Sequence, residues 1–316
     1  MSKLLNKAVL SSAALLFGLS ALAQPKPDKV LKLYPQGQGV DMGIVENGVQ
    51  ITLGPGESNG LTGAEKVPEN GNIGNINDDA RIEIYLPKGK ATGQMIVNVP
   101  GGAYAIVASK NEGSYAADWL LSKGIAVCNV LYRLPNHHHT VPLRDVQNAF
   151  RYCRAHAEEW GINQIGIMGY SAGGHLASTA CTHYVDQITR PDFAVLIYPV
   201  ISLDETITHK GTRVNLTNND PLLVEHYSSE KHVDGNTPQT FIALSSYDDV
   251  VPVENSLRYY RALADNNVKC EMYIMPYGGH GWGFTTDKFG KDNLKEYRTV
   301  FFDALEHYLN NISLAK

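Results

Sequence analysis

The chain has few of the features that mark repeat, nucleic-acid-binding or redox proteins. It has no internal repeat of fixed period and no low-complexity tract, which argues against solenoid and propeller folds. Its 27 Lys and Arg residues are outnumbered by 32 Asp and Glu residues, and no basic cluster stands out. Because phosphate backbones are bound by clustered positive charge, nucleic acid is not expected as a partner.

Cysteine is scarce and widely spaced. The four cysteines are Cys128, Cys153, Cys181 and Cys270, and no pair of them forms a C-x-x-C motif. The spacing therefore predicts neither a zinc site nor a redox motif. Cys153 shares one face of a predicted helix with apolar residues, which favours a small buried side chain. A disulfide remains open, because an exported protein could form one.

Long hydrophobic runs are also missing, apart from one short run near the N-terminus. Residues 1–23 place Lys3 and Lys7 before an apolar stretch and end with a small-x-small pattern, Ala21-Leu22-Ala23. This pattern predicts a cleaved signal peptide and an exported protein, periplasmic or secreted, without stable membrane association. A membrane anchor is the alternative, but the run is shorter than the ~20 residues that span a bilayer.

The rest of the chain predicts one α/β domain. Residues 24–79, rich in Gly, Pro and Asn, indicate a leader or edge hairpin. Over residues 80–316, short apolar runs such as "QMIVNVP" and "IAVCNVLY" alternate with helical stretches. This alternation predicts a mostly parallel sheet covered by helices on both faces. Residues 202–238 are long and polar, which favours an inserted cap over a site rather than a passive surface loop.

A G-x-S-x-G pattern, Gly169-Tyr170-Ser171-Ala172-Gly173, lies between a predicted strand and a predicted helix. In that context the pattern indicates a nucleophile elbow, where the serine occupies a strained turn. Glycines are needed there because strand and helix pass too closely for larger side chains. Ser171 is therefore the predicted nucleophile.

A serine nucleophile requires a base, and the base requires a carboxylate that orients it. His280 lies in a glycine-rich loop after the last predicted strand, and "SSYDDVV" follows the strand before it. Asp248 directly ends that strand, while Asp249 lies one step farther along the loop. The sequence favours Asp248 as the acid and leaves Asp249 as the alternative.

A glycine turn in "NVPGGAY" ends an early predicted strand. Backbone N–H groups at such a turn can stabilise the oxyanion that forms when a carbonyl is attacked. Gly102, Ala103 and Ala172 are the predicted donors. A purely structural turn is the alternative, but the adjacent elbow favours the catalytic role.

The sequence predicts no catalytic role for the other histidines. His175 lies one helical turn past Ser171, where a structural hydrogen bond is expected. The triplet His137-His138-His139 favours a polar turn over a metal site, because adjacent side chains project in different directions. Helical stretches hold His156, His183 and His307, and the predicted cap holds His209, His226 and His232, where a substrate contact remains open.

The motifs together resemble the α/β-hydrolase superfamily, and within it the small bacterial esterases that act on acetylated plant polysaccharides. The blocks "NVPGGAY", "VLYRLP", "GYSAGGHLAS", "YDDVVPVENS" and "GGHGWGF" follow one another in the order of that family. The resemblance implies an α/β-hydrolase fold, no metal, no organic cofactor, and a triad of Ser171, Asp248 and His280. This chain differs from the family at Pro100-Gly101-Gly102-Ala103, where relatives often have a third glycine. The methyl group of Ala103 would narrow the acyl pocket.

The predicted function is an exported serine esterase that removes short acyl groups, with acetyl groups on xylan-type polysaccharides preferred. Aromatic residues beside the motifs suit a sugar, and these are Tyr104, Tyr170, Tyr277 and Trp282. The alternatives are a feruloyl esterase, a general short-chain or lipase-like esterase, a serine peptidase and a non-catalytic binding module. The peptidase is disfavoured because nothing in the chain could form the β-propeller of the related peptidases.

Overall fold

The computed structural model describes residues 24–34, 44–46, 49–51, 53, 57–77, 80–284 and 294–312. The predicted signal peptide at residues 1–23 lies outside the described residues. Within these ranges, no helix is both long and apolar enough to cross a membrane.

A mixed sheet of eight strands forms the centre of the described structure. In chain order the strands are β1 (Lys29–Lys32), β2 (Ile44–Glu46), β3 (Val49–Ile51), β4 (Asn72–Gly74), β5 (Arg81–Tyr85), β6 (Gln94–Val99), β7 (Ile106–Ala108), β8 (Ala126–Leu131), β9 (Gln164–Tyr170), β10 (Ala194–Ile197), β11 (Thr240–Ser245) and β12 (Cys270–Met275). The central sheet has the order β1-β5-β8-β6-β9-β10-β11-β12, and β2-β3 and β4-β7 form two small antiparallel pairs. The pairings from β8 to β12 are parallel, while β1 and β5 add antiparallel strands at one edge.

The described residues form seven α-helices. They are α1 (Tyr115–Ser122), α2 (Val141–Ala155), α3 (Ser171–Thr182), α4 (Lys210–Thr217), α5 (Pro221–His226), α6 (Glu254–Asp265) and α7 (Leu294–Asn311), with a π-helical turn at Ser109–Ser114 and a 3₁₀ turn at Ser229–Lys231. Residues of α2, α3 and α6 contribute to one hydrophobic core, and residues of α1 and α7 contribute to a second. The predicted parallel sheet with helices on both faces is therefore confirmed.

Burial along the strands explains why their sequences are so apolar. All residues of β8, β9 and β10 are buried, because helices cover both faces of the sheet at these positions. β5, near the edge of the sheet, instead alternates between partly buried and buried residues over its first four positions. The two patterns show that burial changes from two faces at the centre to one face toward the edge.

The described part of the N-terminal segment packs against the rest of the domain. β1 pairs with β5, and Tyr34 belongs to the larger core. The Tyr34 hydroxyl donates a hydrogen bond of 2.8 Å to Asp145 Oδ1 on α2. The predicted leader thus supplies an edge strand and core contacts to the same domain.

Asp145 forms a fully buried ion pair with Arg133, which follows β8. Arg133 Nη2 lies 2.7 Å from Asp145 Oδ1, and neither side chain is exposed. Asp145 Oδ2 also accepts from the Arg133 backbone N–H at 2.8 Å, and Arg133 Nη1 donates to the Glu57 carbonyl at 2.6 Å. The pair is therefore bound to the backbone at Arg133 and Glu57 as well as to each other.

Replacing Asp145 should destabilise the fold strongly. Asp145→Ala leaves the Arg133 charge buried without its partner, and breaking such a pair costs about 3–5 kcal/mol. We expect that loss in the free energy of unfolding, measured by urea denaturation. Asp303→Ala on α7 is the control, because Asp303 is exposed and its loss should change stability by at most about 0.5 kcal/mol. Equal effects of the two substitutions would contradict a structural role for the pair.

Candidate active site

Ser171 occupies a strained turn between the central strand and the helix that follows it. β9 ends at Tyr170, α3 begins at Ser171, and the Ser171 φ angle is +51°. A non-glycine residue in this left-handed region costs about 1–3 kcal/mol, which the surrounding structure must supply. The predicted elbow therefore has the backbone strain expected of a serine at the tight turn after a strand.

Glycine at position 173 allows this turn to lie against the end of β6. A Cβ atom at Gly173 would lie 2.2 Å from the Val99 carbonyl oxygen and 2.4 Å from the Pro100 carbonyl oxygen. Both distances are far below van der Waals contact, so only glycine fits without a shift of the backbone. The first turn of α3 therefore contacts the end of β6, the strand that leads to the predicted oxyanion loop.

Three side chains distant in sequence meet at this edge of the sheet. Ser171 Oγ lies 2.9 Å from His280 Nε2, and His280 Nδ1 lies 2.7 Å from Asp248 Oδ2. A carboxylate can only accept, so His280 Nδ1 carries the proton and Nε2 is left to accept from the Ser171 hydroxyl. The structure therefore brings together the three predicted triad residues in the order of hydrogen bonds that base catalysis requires.

The Asp248 carboxylate is fixed by its own loop. Its Oδ1 atom accepts from the backbone N–H groups of Val250 at 2.9 Å and Val251 at 2.8 Å, and its side chain is 2% exposed. Asp249 is exposed to solvent. Of the two candidate acids, the structure places Asp248 against His280.

The predicted oxyanion loop lies directly on the elbow. A Cβ atom at Gly101 would lie 2.5 Å from the Tyr170 carbonyl oxygen and 3.0 Å from Ser171 Cβ. The glycine at this position is therefore required by the close approach of two backbone segments.

The three predicted N–H donors lie next to this contact in the chain. Gly102 and Ala103 follow Gly101 in left-handed conformations, with φ angles of +128° and +58°. Ala172 is in the first turn of α3, where backbone N–H groups have no acceptor within the helix. Ala172 directly follows Ser171 in the chain, and Gly102 and Ala103 directly follow the glycine that contacts the elbow.

Glu112 is a buried residue of the site that sequence reasoning missed. Its Oε2 atom accepts from the Gly101 backbone N–H at 2.6 Å, and its Oε1 atom accepts from the Tyr198 hydroxyl at 2.8 Å. Tyr198 in turn accepts from the Gly283 N–H at 2.9 Å, and its ring centroid is 4.8 Å from that of His280. One carboxylate thus connects the oxyanion loop to the loop that carries the histidine.

No local signal identifies Glu112, because it lies in the π-helical turn before α1, where the sequence resembles the start of a surface helix. Tyr198 has a weak signal, since it follows β10 at the same edge of the sheet as the triad. Both residues acquire their roles from contacts across the sheet.

The structure corrects the prediction that Tyr104, Tyr170 and Trp282 contact the sugar. Tyr170 and Trp282 are 0% exposed and Tyr104 is 2% exposed, so none of these rings presents a face to a ligand. Aromatic rings next to the motifs instead fill the core beneath the site. Tyr277 differs, because it is 50% exposed and lies three residues before His280.

His175 makes the structural hydrogen bonds expected for it. Nε2 lies 2.8 Å from the Tyr227 carbonyl oxygen and therefore donates, which leaves Nδ1 to accept from the Tyr104 hydroxyl at 2.9 Å. Burial lowers the His175 pKa to about 4, which keeps the ring neutral. This residue joins the elbow helix to the segment predicted as a cap.

The predicted cap, residues 202–238, reaches the oxyanion loop through α4. Asn215 Nδ2 donates to the Ala103 carbonyl at 2.8 Å, and a Cβ atom at Gly211 would lie 3.8 Å from Ala103 Cβ. His209 precedes α4, and its pKa is lowered by burial and by the proximity of His280, while Asp248 acts in the opposite direction. The insertion therefore borders the site on the side of Ala103.

The His137-His138-His139 triplet has the features of a polar turn. His137 Nδ1 lies 3.1 Å from the Val214 carbonyl oxygen, and His139 Nδ1 lies 2.7 Å from the Tyr227 hydroxyl. These rings use separate partners, as predicted. The four cysteines are all free, and Cys153 is buried as expected.

A parallel sheet with a strained serine, a histidine and an aspartate at the carboxyl ends of its strands defines the α/β-hydrolase class. Comparison with known proteins agrees with this assignment. The BD-FAE family profile matches residues 82–193. The structure is also similar to a crystal structure of an acetyl ester-xyloside bifunctional hydrolase from Caldicellulosiruptor lactoaceticus, with a TM-score of 0.64 and 35% identity over 72% of this chain and 88% of that one.

Two curated relatives resemble the chain in sequence. It is 40% identical over 222 residues to an acetylxylan esterase of Xylanibacter ruminicola, a match that covers 67% of this chain and 46% of the relative. It is 32% identical over 223 residues to endo-1,4-beta-xylanase B of Butyrivibrio fibrisolvens, covering 65% of this chain and 35% of the relative. The chain thus spans less than half the length of these relatives. It belongs to the α/β-hydrolase superfamily, in the branch of the bacterial carbohydrate esterases.

A methyl group at position 173 should disrupt the elbow. Gly173→Ala forces the backbone of α3 away from β6, and overpacking of this kind costs about 1–3 kcal/mol. We expect a lower midpoint in thermal unfolding. Gly113→Ala is the control, because a Cβ atom there would meet nothing closer than 3.5 Å. If Gly113→Ala lowered the midpoint as much as Gly173→Ala, the close contact would not be the cause.

Proposed function

We propose that the chain is a serine-dependent carboxylic ester hydrolase that removes acetyl groups from xylan-type polysaccharides. The observation that carries this proposal is the continuous set of hydrogen bonds from Ser171 through His280 to Asp248, at 2.9 Å and 2.7 Å. Such a set lets a neutral imidazole take the serine proton as the hydroxyl attacks a carbonyl carbon.

The reaction has two stages. In the first, Ser171 Oγ attacks the ester carbonyl and its proton moves to His280 Nε2, which then donates that proton to the leaving alcohol. In the second, a water molecule loses a proton to His280 and attacks the acyl-serine, and the proton returns to Ser171 as the acid leaves. Asp248 stabilises the imidazolium in both stages through its hydrogen bond to Nδ1.

The negative charge on the substrate oxygen requires donors that are already in position. Gly102, Ala103 and Ala172 supply backbone N–H groups beside Ser171, and the Glu112 carboxylate holds the loop through the Gly101 N–H. Two neighbouring segments of backbone are thus fixed before the substrate arrives. Preorganised donors of this kind typically contribute about 10²–10³ in rate each.

A small acyl group suits the space beside Ala103. The insertion lies directly against Ala103, through the hydrogen bond from Asn215 and the close approach of Gly211. A long acyl chain would need a broad apolar channel. The relatives named acetylxylan esterase, endo-1,4-beta-xylanase B and acetyl ester-xyloside bifunctional hydrolase support acetylated xylan as the substrate class.

Export is part of the same proposal. Residues 1–23 have the pattern of a signal peptide, and polymeric xylan is too large to enter a cell. Tyr277 is half exposed and lies three residues before His280, so its ring is available to stack on a sugar.

A substrate panel tests the proposal. We expect acetylated xylo-oligosaccharide to be hydrolysed with a higher kcat/KM than methyl ferulate, a long-chain glyceride or a prolyl amide, measured by acid release under the same conditions. Ser171→Ala should lower the rate by about 10⁴-fold or more while circular dichroism stays unchanged. Retained activity in Ser171→Ala would refute the serine mechanism. A preference for one of the other three substrates would refute the substrate class.

Asp248 and Asp249 provide a matched pair for the acid. Asp248→Asn removes the charge that orients and stabilises the His280 ring, and the loss of a triad aspartate typically costs about 10⁴-fold in kcat. Asp249→Asn changes an exposed neighbour and should retain most of the activity. Steady-state kinetics of the two variants on one aryl acetate decide the assignment, and the opposite ranking would transfer the role to Asp249.

A further inference from the structure

Three histidines form a cluster at the end of α3 that is distant from Ser171. His183 is the C-cap residue of α3, His226 ends α5, and His232 follows the 3₁₀ turn Ser229–Lys231. One ring nitrogen of each lies within 4.8 Å of those of the other two, and no second group of metal-binding side chains has this spacing in the part of the chain that the structure describes. The ring centroid of His183 is 4.6 Å from that of His226 and 4.8 Å from that of His232.

A hydrogen bond fixes the tautomer of His232, because the Glu225 carbonyl accepts from its Nε2 at 3.1 Å and leaves the lone pair on Nδ1. His183 Nδ1 lies 2.9 Å from Thr182 Oγ1. Metal-bound histidines are commonly oriented in the same way, by an oxygen on the second nitrogen.

We propose that His183, His226 and His232 bind a divalent transition metal of the zinc class, with water in the fourth position. Neutral imidazole suits Zn²⁺, Co²⁺, Ni²⁺ and Cu²⁺, while Ca²⁺ and Mg²⁺ require oxygen ligands. Tetrahedral zinc with bonds of about 2.0–2.1 Å places its ligand atoms about 3.4 Å apart. The rings must therefore approach one another slightly, and the exposed His226 side chain has room to rotate.

The position of the cluster assigns a structural role to the metal. α3 runs for 12 residues from Ser171 to Thr182, which separates its ends by about 18 Å at 1.5 Å per residue. A metal there is too distant to act on a substrate at Ser171. It would link α3 to the insertion that supplies both His226 and His232, and whose Asn215 binds the oxyanion loop.

Metal binding to the untagged chain tests the proposal, with Zn²⁺ and Co²⁺ as probes after removal of metal by a chelator. We expect one equivalent of Zn²⁺ by equilibrium dialysis, a visible absorption band with Co²⁺, and a higher thermal midpoint with Zn²⁺. Loss of a residue that only orients a metal ligand typically weakens metal binding by about 10–100-fold. H226Q and H232Q each remove a ligand itself, so each should weaken Zn²⁺ binding by at least about 100-fold. They should also remove the Zn²⁺-dependent rise in the midpoint.

H138Q and H307Q are the matched controls, because both histidines are exposed and lie outside the cluster. They should bind Zn²⁺ as the parent chain does. The proposal would be overturned if the parent chain failed to bind one equivalent of Zn²⁺. It would also be overturned if H226Q and H232Q bound Zn²⁺ as tightly as the parent chain, or if H138Q and H307Q lost as much affinity as H226Q and H232Q. Ser171→Ala should bind Zn²⁺ normally, which separates this test from that of the esterase.

Discussion

The hydrogen bond between Ser171 Oγ and His280 Nε2, 2.9 Å long, is the interaction on which the proposed chemistry depends. It requires two residues more than a hundred positions apart to meet at one edge of the sheet. Adjacent parallel strands satisfy this requirement, because β9, β10, β11 and β12 are neighbours and all end at the same edge. Loops of different lengths can then place the serine, the aspartate and the histidine together without changing the sheet.

Close backbone packing makes that edge rigid. Gly173 and Gly101 let the elbow and the oxyanion loop touch, and a larger side chain at either position would separate them. Glu112 adds a buried carboxylate that holds the oxyanion loop and, through Tyr198, the loop after β12. The strained φ angle of Ser171 is therefore maintained by contacts on several sides, as a preorganised site requires.

The insertion of residues 202–238 is fastened to the domain at several separate points. Near the site, Asn215 binds the Ala103 carbonyl, and in the middle of α3, His175 donates to the Tyr227 carbonyl. At the far end of α3, the proposed metal would add a third attachment through His226. Because the insertion lies beside Ala103, under the proposed function its attachment would bear on which acyl groups fit.

The sequence by itself determined the alternation of strands and helices, the elbow at Ser171 and the order of the triad residues. These features are local, since apolar periodicity and glycine spacing depend on neighbours in the chain. The membership of the family follows from the same local blocks. The sequence also favours Asp248 over Asp249, and although β11 ends three residues earlier, at Ser245, Asp248 is the one that contacts His280.

Only the tertiary structure decided which side chains face the site and which face the core. Tyr104, Tyr170 and Trp282 lie beside catalytic motifs in sequence, yet the packing of helices over the sheet buries them. Glu112 reaches the oxyanion loop because β6 and the π-helical turn lie side by side, and His183 meets His226 because the insertion folds back onto α3. Contacts of this kind depend on distances between remote segments, which no local pattern in the sequence records.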